Sequence, residues 1–323
     1  TASTYTIVET ASYGGTGFDI INTLSGEYLA GSFTGSFTLG TSTMTSAGGK
    51  DGLLFKFNDI TLAPLSAAFN DKVGGTGDDE ILSIYFDSTG GNGFILKIAG
   101  YFSGTANFSV GTGSFTLTSS GGKDGFTVGY TYISNVNGLL VDEFIKHGGT
   151  GDDEIVDISM DNNITTRYHF VGNTQLTNGG SQVLIGSIQN FVVTAYTGNF
   201  TPSDATKINR ASAVAYTIDN VFYAGEFNAT TDFNIDAATT NNLTFTAGGA
   251  NMFLQKSNTC VTSATTPILS GRSAICVGDG LTMYIAENGQ GANINSNLNW
   301  NWYSGSCGGT LVGTGSSITV TPS

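Results

Sequence analysis

GGTGDDEI stands at 74–81 and again, unchanged, at 148–155, and a looser copy, GGTGFDI, stands at 14–20. An identical run of this length does not recur by chance, so the chain is built from copies of one structural unit. The same fact bears on chemistry. Asp78, Asp79, Asp152 and Asp153 belong first to whatever the repeat needs architecturally.

Working outward from the octet recovers the whole unit. First strands read FDIINTL (18–24), EILSIYF (80–86), EIVDISM (154–160) and ASAVAYTI (211–218). Second strands read EYLAGSF (27–33), GFILKIAGYF (93–102), RYHFVG (167–172) and VFYAGEF (221–227). A Thr/Ser-rich hairpin follows, then a second glycine turn, GGKDG, at 48–52 and 121–125. Third strands read DGLLFKF (51–57), DGFTVGYT (124–131), SQVLIGSI (181–188) and ANMFLQK (250–256). Fourth strands read TYTIVETAS (4–12), LAPLSAAF (62–69), GLLVDEFI (138–145) and QNFVVTAYT (189–197). All are short, rich in β-branched and aromatic residues, and bounded by Gly, Asn, Asp or Ser. No segment carries a sustained 3.6-residue apolar period, so an all-β chain is expected.

Four strands per unit over residues 1–257 predict a four-bladed β-propeller. The phase of the repeat adds a closure. The chain begins on a fourth-type strand and the last unit ends on a third-type strand, so pairing 4–12 with 250–256 satisfies two otherwise open edges. A larger ring or an open array is the competing arrangement.

The text FTGSFTLGTSTMTSAGGKDGLLFKF (33–57), with FSGTANFSVGTGSFTLTSSGGKDGFTVGY (102–130), closely resembles the SBBP-type bacterial β-propeller repeat. The third copy keeps the octet and degrades to NGGSQVLIG (178–186); the fourth has KINRASA (207–213) in place of the octet and keeps AGEF and AGG. This likeness implies a fold more than an activity, because propellers host many unrelated functions.

Composition shifts after Ser257. NTCVTSATTP (258–267) reads as a linker, and 268–323 as a second module. Its LSGRSAICVGDGLTMYI (269–285) and NWNWYSGSCGGTLVGTGSSITVTP (299–322) resemble the Ig-like domain of bacterial surface proteins exported by type IX secretion. The resemblance implies an incomplete Ig-like β-sandwich whose strands continue beyond Ser323, within a larger adhesin-like protein of the gliding-motility kind. Trp300 and Trp302 alternate along one strand and so share a face suited to covering a core.

Twenty-five acidic and 11 basic residues give a net charge of −14. Nucleic-acid binding needs Lys and Arg to displace counterions, and an anionic membrane repels such a chain, so neither is an expected partner. No apolar run approaches about 18 residues, so no transmembrane segment is expected. A secreted or outer-surface location is the expectation, with a protein or glycan ligand at the cell surface, or secretion-system components, as partners.

The three cysteines fall in or beside the second module. Cys276 and Cys307 sit on separate predicted strands, and a disulfide between them is the favoured reading. Cys260 is left over. No Cys-x-x-Cys pair or neighbouring histidine indicates a cysteine metal site.

The octet acids admit two readings. Clustered carboxylates in a Gly-rich turn can bind calcium, a hard cation that takes six or more oxygens, with Asp78, Asp79, Asp152 and Asp153 as candidates. Their spacing matches neither an EF-hand loop nor a nonapeptide calcium repeat. The favoured alternative is that Asp accepts backbone N–H bonds and locks the turn into each first strand; Phe18 in the first copy, where the others have Asp78 and Asp152, agrees. Asp51 and Asp124 in GGKDG read the same way, with Ser181 and Ala250 at the matching place in the later copies. No cofactor is otherwise implied.

His147 and His169 lie outside any nucleophile elbow or HExxH motif and read as packed residues. No catalytic residue is assigned, and a non-catalytic binding or adhesion module is the expected function. The alternative is a secreted glycan-active enzyme or carbohydrate-binding subunit that assembles carboxylates across blades. The hairpins at 34–46, 103–120 and 228–246 offer Phe37, Phe115 and Phe245 for stacking on a ligand, with small-core packing as the competing role. Asp87-Ser88-Thr89 fits a short O-glycosylation acceptor motif of this secretion lineage. The irregular junction near Lys207–Ala213, where the octet is lost, is the place expected to be specialised.

Overall fold

The computed structural model describes residues 15–25, 28–39, 42–56, 71–90, 93–110, 115–133, 138–160, 167–189, 192–217, 220–234, 240–246, 249–258, 281–284, 301–304, 310–314 and 317–320. Everything regular among them is β-strand, and all the sheet ladders are antiparallel. The chain divides into two compact units, Thr1–Thr259 and Cys260–Ser323.

In the first unit, repeat one supplies β1 (Gly15–Ser25), β2 (Tyr28–Leu39), β3 (Ser42–Thr45), β4 (Asp51–Lys56) and β5 (Asp71–Gly75). Repeat two supplies β6 (Glu80–Gly90), β7 (Gly93–Asn107), β8 (Thr116–Ile133) and β9 (Gly138–His147). Repeat three is a four-stranded meander, β10 (Asp153–Met160), β11 (Arg167–Gln175), β12 (Ser181–Gln189) and β13 (Val192–Phe200). Repeat four supplies β14 (Asn209–Thr217), β15 (Asn220–Phe227) and β18 (Asn251–Asn258), with a small hairpin, β16 (Thr231–Asp232) and β17 (Asn242–Leu243), inserted before the last. The fourth strands expected at 4–12 and 62–69 lie outside the described residues, and no closed ring is traced through the described ones.

One register detail shows that the four repeats are equivalent. Each first strand bulges just after the residue that faces a glycine of the second strand: Ile21 opposite Gly31, Ile81 opposite Gly100, Ile155 opposite Gly172 and Ala211 opposite Gly225. The bulge presses the first strand onto its neighbour, and only glycine fits there. A Cβ on Gly100 would lie 1.9 Å from Glu80 O, and one on Gly225 would lie 2.0 Å from Arg210 O.

First strands of successive repeats are joined through the bulge residues. Ser83 Oγ donates to Asp157 Oδ1 at 2.8 Å, the Val214 N–H donates to Asp157 Oδ2 at 2.9 Å, and the Tyr216 N–H donates to Ser159 Oγ at 3.0 Å. Outside these strands the sheets bury aromatic cores. Phe102, Phe108 and Phe126 pack edge-on in repeat two, and Phe200, Phe227, Phe233 and Phe253 do so across repeats three and four.

The structure departs from the sequence reading at one turn. GGKDG at 121–125 is absorbed into β8, which runs on to Ile133, because the ladder with β7 skips from Ser103↔Lys123 to Thr105↔Thr118 and accommodates the extra residues as a bulge. In the second unit, β19 (Leu281–Tyr284) pairs with β22 (Ser317–Val320), and β20 (Asn301–Ser304) with β21 (Thr310–Thr314). Cys260, Cys276 and Cys307 lie outside the described residues, and with them the expected disulfide.

Candidate functional site

The octet acids are the first candidates, and the structure places each at a junction between repeats. At the first junction Asp79 is buried. Its Oδ2 accepts the Gly75 N–H at 2.7 Å and its Oδ1 the Ser103 N–H at 3.1 Å. Asp78 Oδ1 accepts the Lys50 N–H at 3.1 Å. The second junction repeats this atom for atom. Asp153 Oδ2 accepts Gly149 N–H at 2.7 Å, its Oδ1 accepts Gln175 N–H at 3.2 Å, and Asp152 Oδ1 accepts Lys123 N–H at 3.0 Å. These are turn-locking bonds. Among the described residues no group of three or more His, Cys, Asp or Glu side chains is arranged to hold a metal ion.

Behind each octet acid lies the aspartate of GGKDG. Asp51 Oδ2 accepts the Ala47 N–H at 2.7 Å and pairs with Lys72 Nζ at 3.0 Å; Asp124 Oδ2 accepts the Ser120 N–H at 2.7 Å and pairs with Lys146 Nζ at 3.2 Å. Both aspartates are fully buried. Between the two acids of each junction sits a glycine with positive φ. A Cβ on Gly74 would lie 2.5 Å from Asp51 Oδ1 and 2.8 Å from Asp79 Oδ2, and one on Gly148 would lie 2.6 Å from Asp124 Oδ1 and 2.5 Å from Asp153 Oδ2. Burial, aided by the nearby Asp51 and Asp78 charges, pushes the Asp79 carboxyl up to about 6, against the pull of its backbone N–H bonds. The lysines Lys72 and Lys146 were not singled out from sequence. Each stands two residues before the glycine (KVGG, KHGG), a spacing visible once the octet is extended backward.

The ladder also corrects an alignment. Asp51 faces Phe33 and Asp124 faces Phe102, and the matching partners in the later repeats are Thr174↔Gln182 and Phe227↔Asn251. Gln182 and Asn251, not Ser181 and Ala250, therefore occupy the GGKDG aspartate position. Likewise Asn209 stands where Asp153 stands, two residues before the bulge. Asn209 is buried, and its amide donates to Phe200 O at 3.0 Å and Thr231 Oγ1 at 2.9 Å. The third junction thus has amides at the ladder positions of the carboxylates, and its Asn209 donates where Asp153 accepts.

The two histidines are packing residues. His147 is buried, within hydrogen-bond distance (2.9 Å) of Thr127 Oγ1, and burial holds its ring well below the usual imidazole range, at about 4. His169 stacks on Tyr216 with ring centroids 5.6 Å apart. A second polar cluster surrounds Lys97, whose Nζ lies 3.2 Å from Glu143 Oε2 and 3.4 Å from Asp142 Oδ1. Tyr168 donates to Glu143 and Thr131 to Asp142. Burial raises the Glu143 carboxyl despite the Lys97 charge beside it. Lys97, Glu143 and Tyr168 are buried, so the cluster is a network closed on itself.

An open cleft lies at the third junction. Asp204, Lys207, Asn228, Ala229, Thr230, Phe245, Gly249 and Ala250 line a cleft of about 510 Å³. The loop replacing the octet forms one wall. Asp204 Oδ1 caps it by accepting the Thr206 N–H at 3.0 Å and the Thr206 hydroxyl at 2.8 Å, bonds that hold the exposed carboxyl below its ordinary range. The hairpin of repeat four forms the other wall. Asn228 Oδ1 accepts the Ile208 N–H at 2.7 Å and ties the walls together. Phe245 packs partly against the core and borders the cleft. Of the other stacking candidates, Phe115 packs edge-on against Phe144 at 5.8 Å, and the Phe37 side chain lies outside the described residues. Asp204, Asn228 and Thr230 were not read from sequence. The signal that located them was the loss of the octet near Lys207–Ala213.

No protein-family profile matches this chain, and no curated protein matches it in sequence.

Proposed function

We propose that this chain is a non-catalytic binding module of a secreted or outer-surface protein, and that it binds its ligand, a glycan or a protein, in the cleft of repeat four. The observation that carries this reading is the cleft's composition and place. An aromatic ring, an amide, a hydroxyl, a carboxylate and an ammonium converge on an open concavity, the mixture by which recognition sites fix a ligand. They do so at the junction where the octet gives way to other residues. The acidic, charge-poor composition and the resemblance to surface-protein repeats support the extracellular setting.

The test is retention of glycan and cell-surface protein ligands by the full chain, compared with Phe245→Ala and Asn228→Ala. A ligand lost by both variants, each still folded at the assay temperature, supports the reading. A ligand retained by both removes the cleft from it. The ligand is expected to be recovered chemically intact; turnover by the full chain would favour a glycan-active enzyme instead.

The scaffold in this reading is a four-bladed propeller followed by an Ig-like domain, with residues 4–12 completing the last blade along β18. Four equivalent first strands and an edge of β18 that no described strand pairs support it. So do Met252 and Leu254, which are 81% and 67% exposed at ladder positions whose counterparts, Gly125 and Thr127, are buried. Such a face calls for a cover. Deleting residues 1–13 is expected to raise amide exchange along β18 by orders of magnitude and leave β11 protected. Unchanged exchange in β18 would favour an open array.

A further inference from the structure

We infer that the cleft of repeat four takes a carboxylated sugar, a uronate unit within an acidic glycan. This rests on the reading of the cleft as the binding site and names the class of its ligand.

The first observation is a local reversal of charge. By register, Asp152, Asp153 and Glu154 of repeat three correspond to Ile208, Asn209 and Arg210 of repeat four, with Lys207 just before them. At these three positions three negative charges give way to one cation, Arg210, and the loop before them carries Lys207 and a single acid, Asp204, in a chain with 25 acids and 11 bases. The second observation concerns Lys207 itself. Lys50, Lys72, Lys97 and Lys146 all pair with carboxylates. Lys207 lines the cleft and has no carboxylate within ion-pair distance among the described residues; the acid it acts on is Asp204, which its charge helps hold below the ordinary range. Its neighbour Asp204 has one oxygen committed to Thr206, so that carboxyl is held in the loop.

The third observation is the ring. Phe245 is anchored to the core on one side and meets the cleft on the other. An aromatic face is electron-rich and suits the C–H face of a pyranose. Asn228, which also lines the cleft, spends its oxygen on Ile208 N–H and keeps its amide hydrogens as donors. One ammonium and one amide donor match a planar monoanion. A phosphate dianion draws on more donors and more positive charge than one lysine and one amide supply among the described lining residues.

Calorimetry on the full chain, with a glucuronate-containing oligosaccharide and its carboxyl-reduced analogue, separates the terms. The acidic form should bind about tenfold more tightly than the reduced form. Lys207→Gln, at an exposed position, should lower the acidic form to the affinity of the reduced one and abolish its salt dependence, with the melting temperature unchanged. Phe245→Ala should weaken both forms. Equal binding of the two forms, insensitive to Lys207→Gln, overturns the acidic class and leaves a glycan-binding cleft standing. Inorganic phosphate competing as well as free glucuronate overturns it as well, by marking a general anion site. Binding of neither form overturns the inference, and the cleft falls with it only if Phe245→Ala also leaves every other ligand's retention unchanged.

Discussion

Asn209 occupies, at the third junction, the place that Asp153 occupies at the second: both are buried, both enter a first strand two residues ahead of its bulge, and both hold the turn by side-chain hydrogen bonds. The bonds run in opposite senses: Asp153 accepts two backbone N–H groups, whereas the Asn209 amide donates to Phe200 O and Thr231 Oγ1. The charged copies add a second buried acid and a lysine to balance it.

Gly148→Ala should be strongly destabilising. Its Cβ would lie 2.5 Å from Asp153 Oδ2 and 2.6 Å from Asp124 Oδ1, at φ +130, so the acid pair must move. A loss of about 2 kcal/mol or more in urea denaturation is expected. Gly149→Ala is the internal control. Nothing lies within 4 Å of its added carbon, and its cost should stay below about 1 kcal/mol.

Lys97→Met should cost about 3–5 kcal/mol, because it leaves Glu143 and Asp142 without their counter-charge in a buried place. Adding Glu143→Gln to it should recover part of the loss. A double-mutant cycle by chemical denaturation measures the coupling, and purely additive losses would show that the pair is not coupled.

His147 makes the fold acid-sensitive. Its folded value, about 4, is depressed below the unfolded value of about 6.5, so the unfolded chain binds the proton first. Its contribution is complete above about 6.5 and is lost as pH falls toward 4, about 3 kcal/mol in all. Repeat one carries Val73 at this ladder position, facing Gly52 as His147 faces Gly125. His147→Val should therefore flatten stability between pH 6.5 and 4 relative to the native chain.

Asp79 acts in the opposite sense. A carboxyl raised to about 6 holds a proton in the folded state that the unfolded chain releases down to about 4. Its burden is full above about 6 and is relieved as pH falls through that value. Two-dimensional NMR titration of the Asp79 carboxyl carbon checks the midpoint. A value near 4 would remove this account of the junction.

Excess calcium should leave the melting temperature unchanged. Both oxygens of Asp79 and Asp153 accept backbone N–H bonds, and Lys72 and Lys146 balance the acids behind them. A rise of several degrees that Asp78→Asn and Asp152→Asn both abolish would restore the octets as a calcium site.

The repeat itself was legible in the sequence because glycine and aspartate are needed at fixed offsets, and the octet prints them. The first and second strands of every repeat follow from it. Gln182 and Asn251 were harder to place. In those copies the lysine and glycine around the aspartate are gone, and only ladder pairing sets the register. The cleft was half legible: Phe245 and the altered junction stood out, but Asp204, Asn228 and Thr230 converge only through folding. Ring closure and the cysteine pairing involve residues outside the described ones, so the fold reading stops at successive antiparallel sheets.

The bonds that cross from one repeat to the next differ between junctions, with a mechanical consequence. Asp78 and Asp152 grip the preceding repeat by accepting the Lys50 and Lys123 N–H, bonds strengthened by charge, whereas the third junction holds on with neutral bonds, Ser181 N–H to Lys207 O at 3.0 Å among them. Under load along the chain, repeat four should peel away first and the other three should yield later and at higher force. The same segment that shapes the cleft would then act as a fuse, letting go of its ligand before the rest of the molecule gives way.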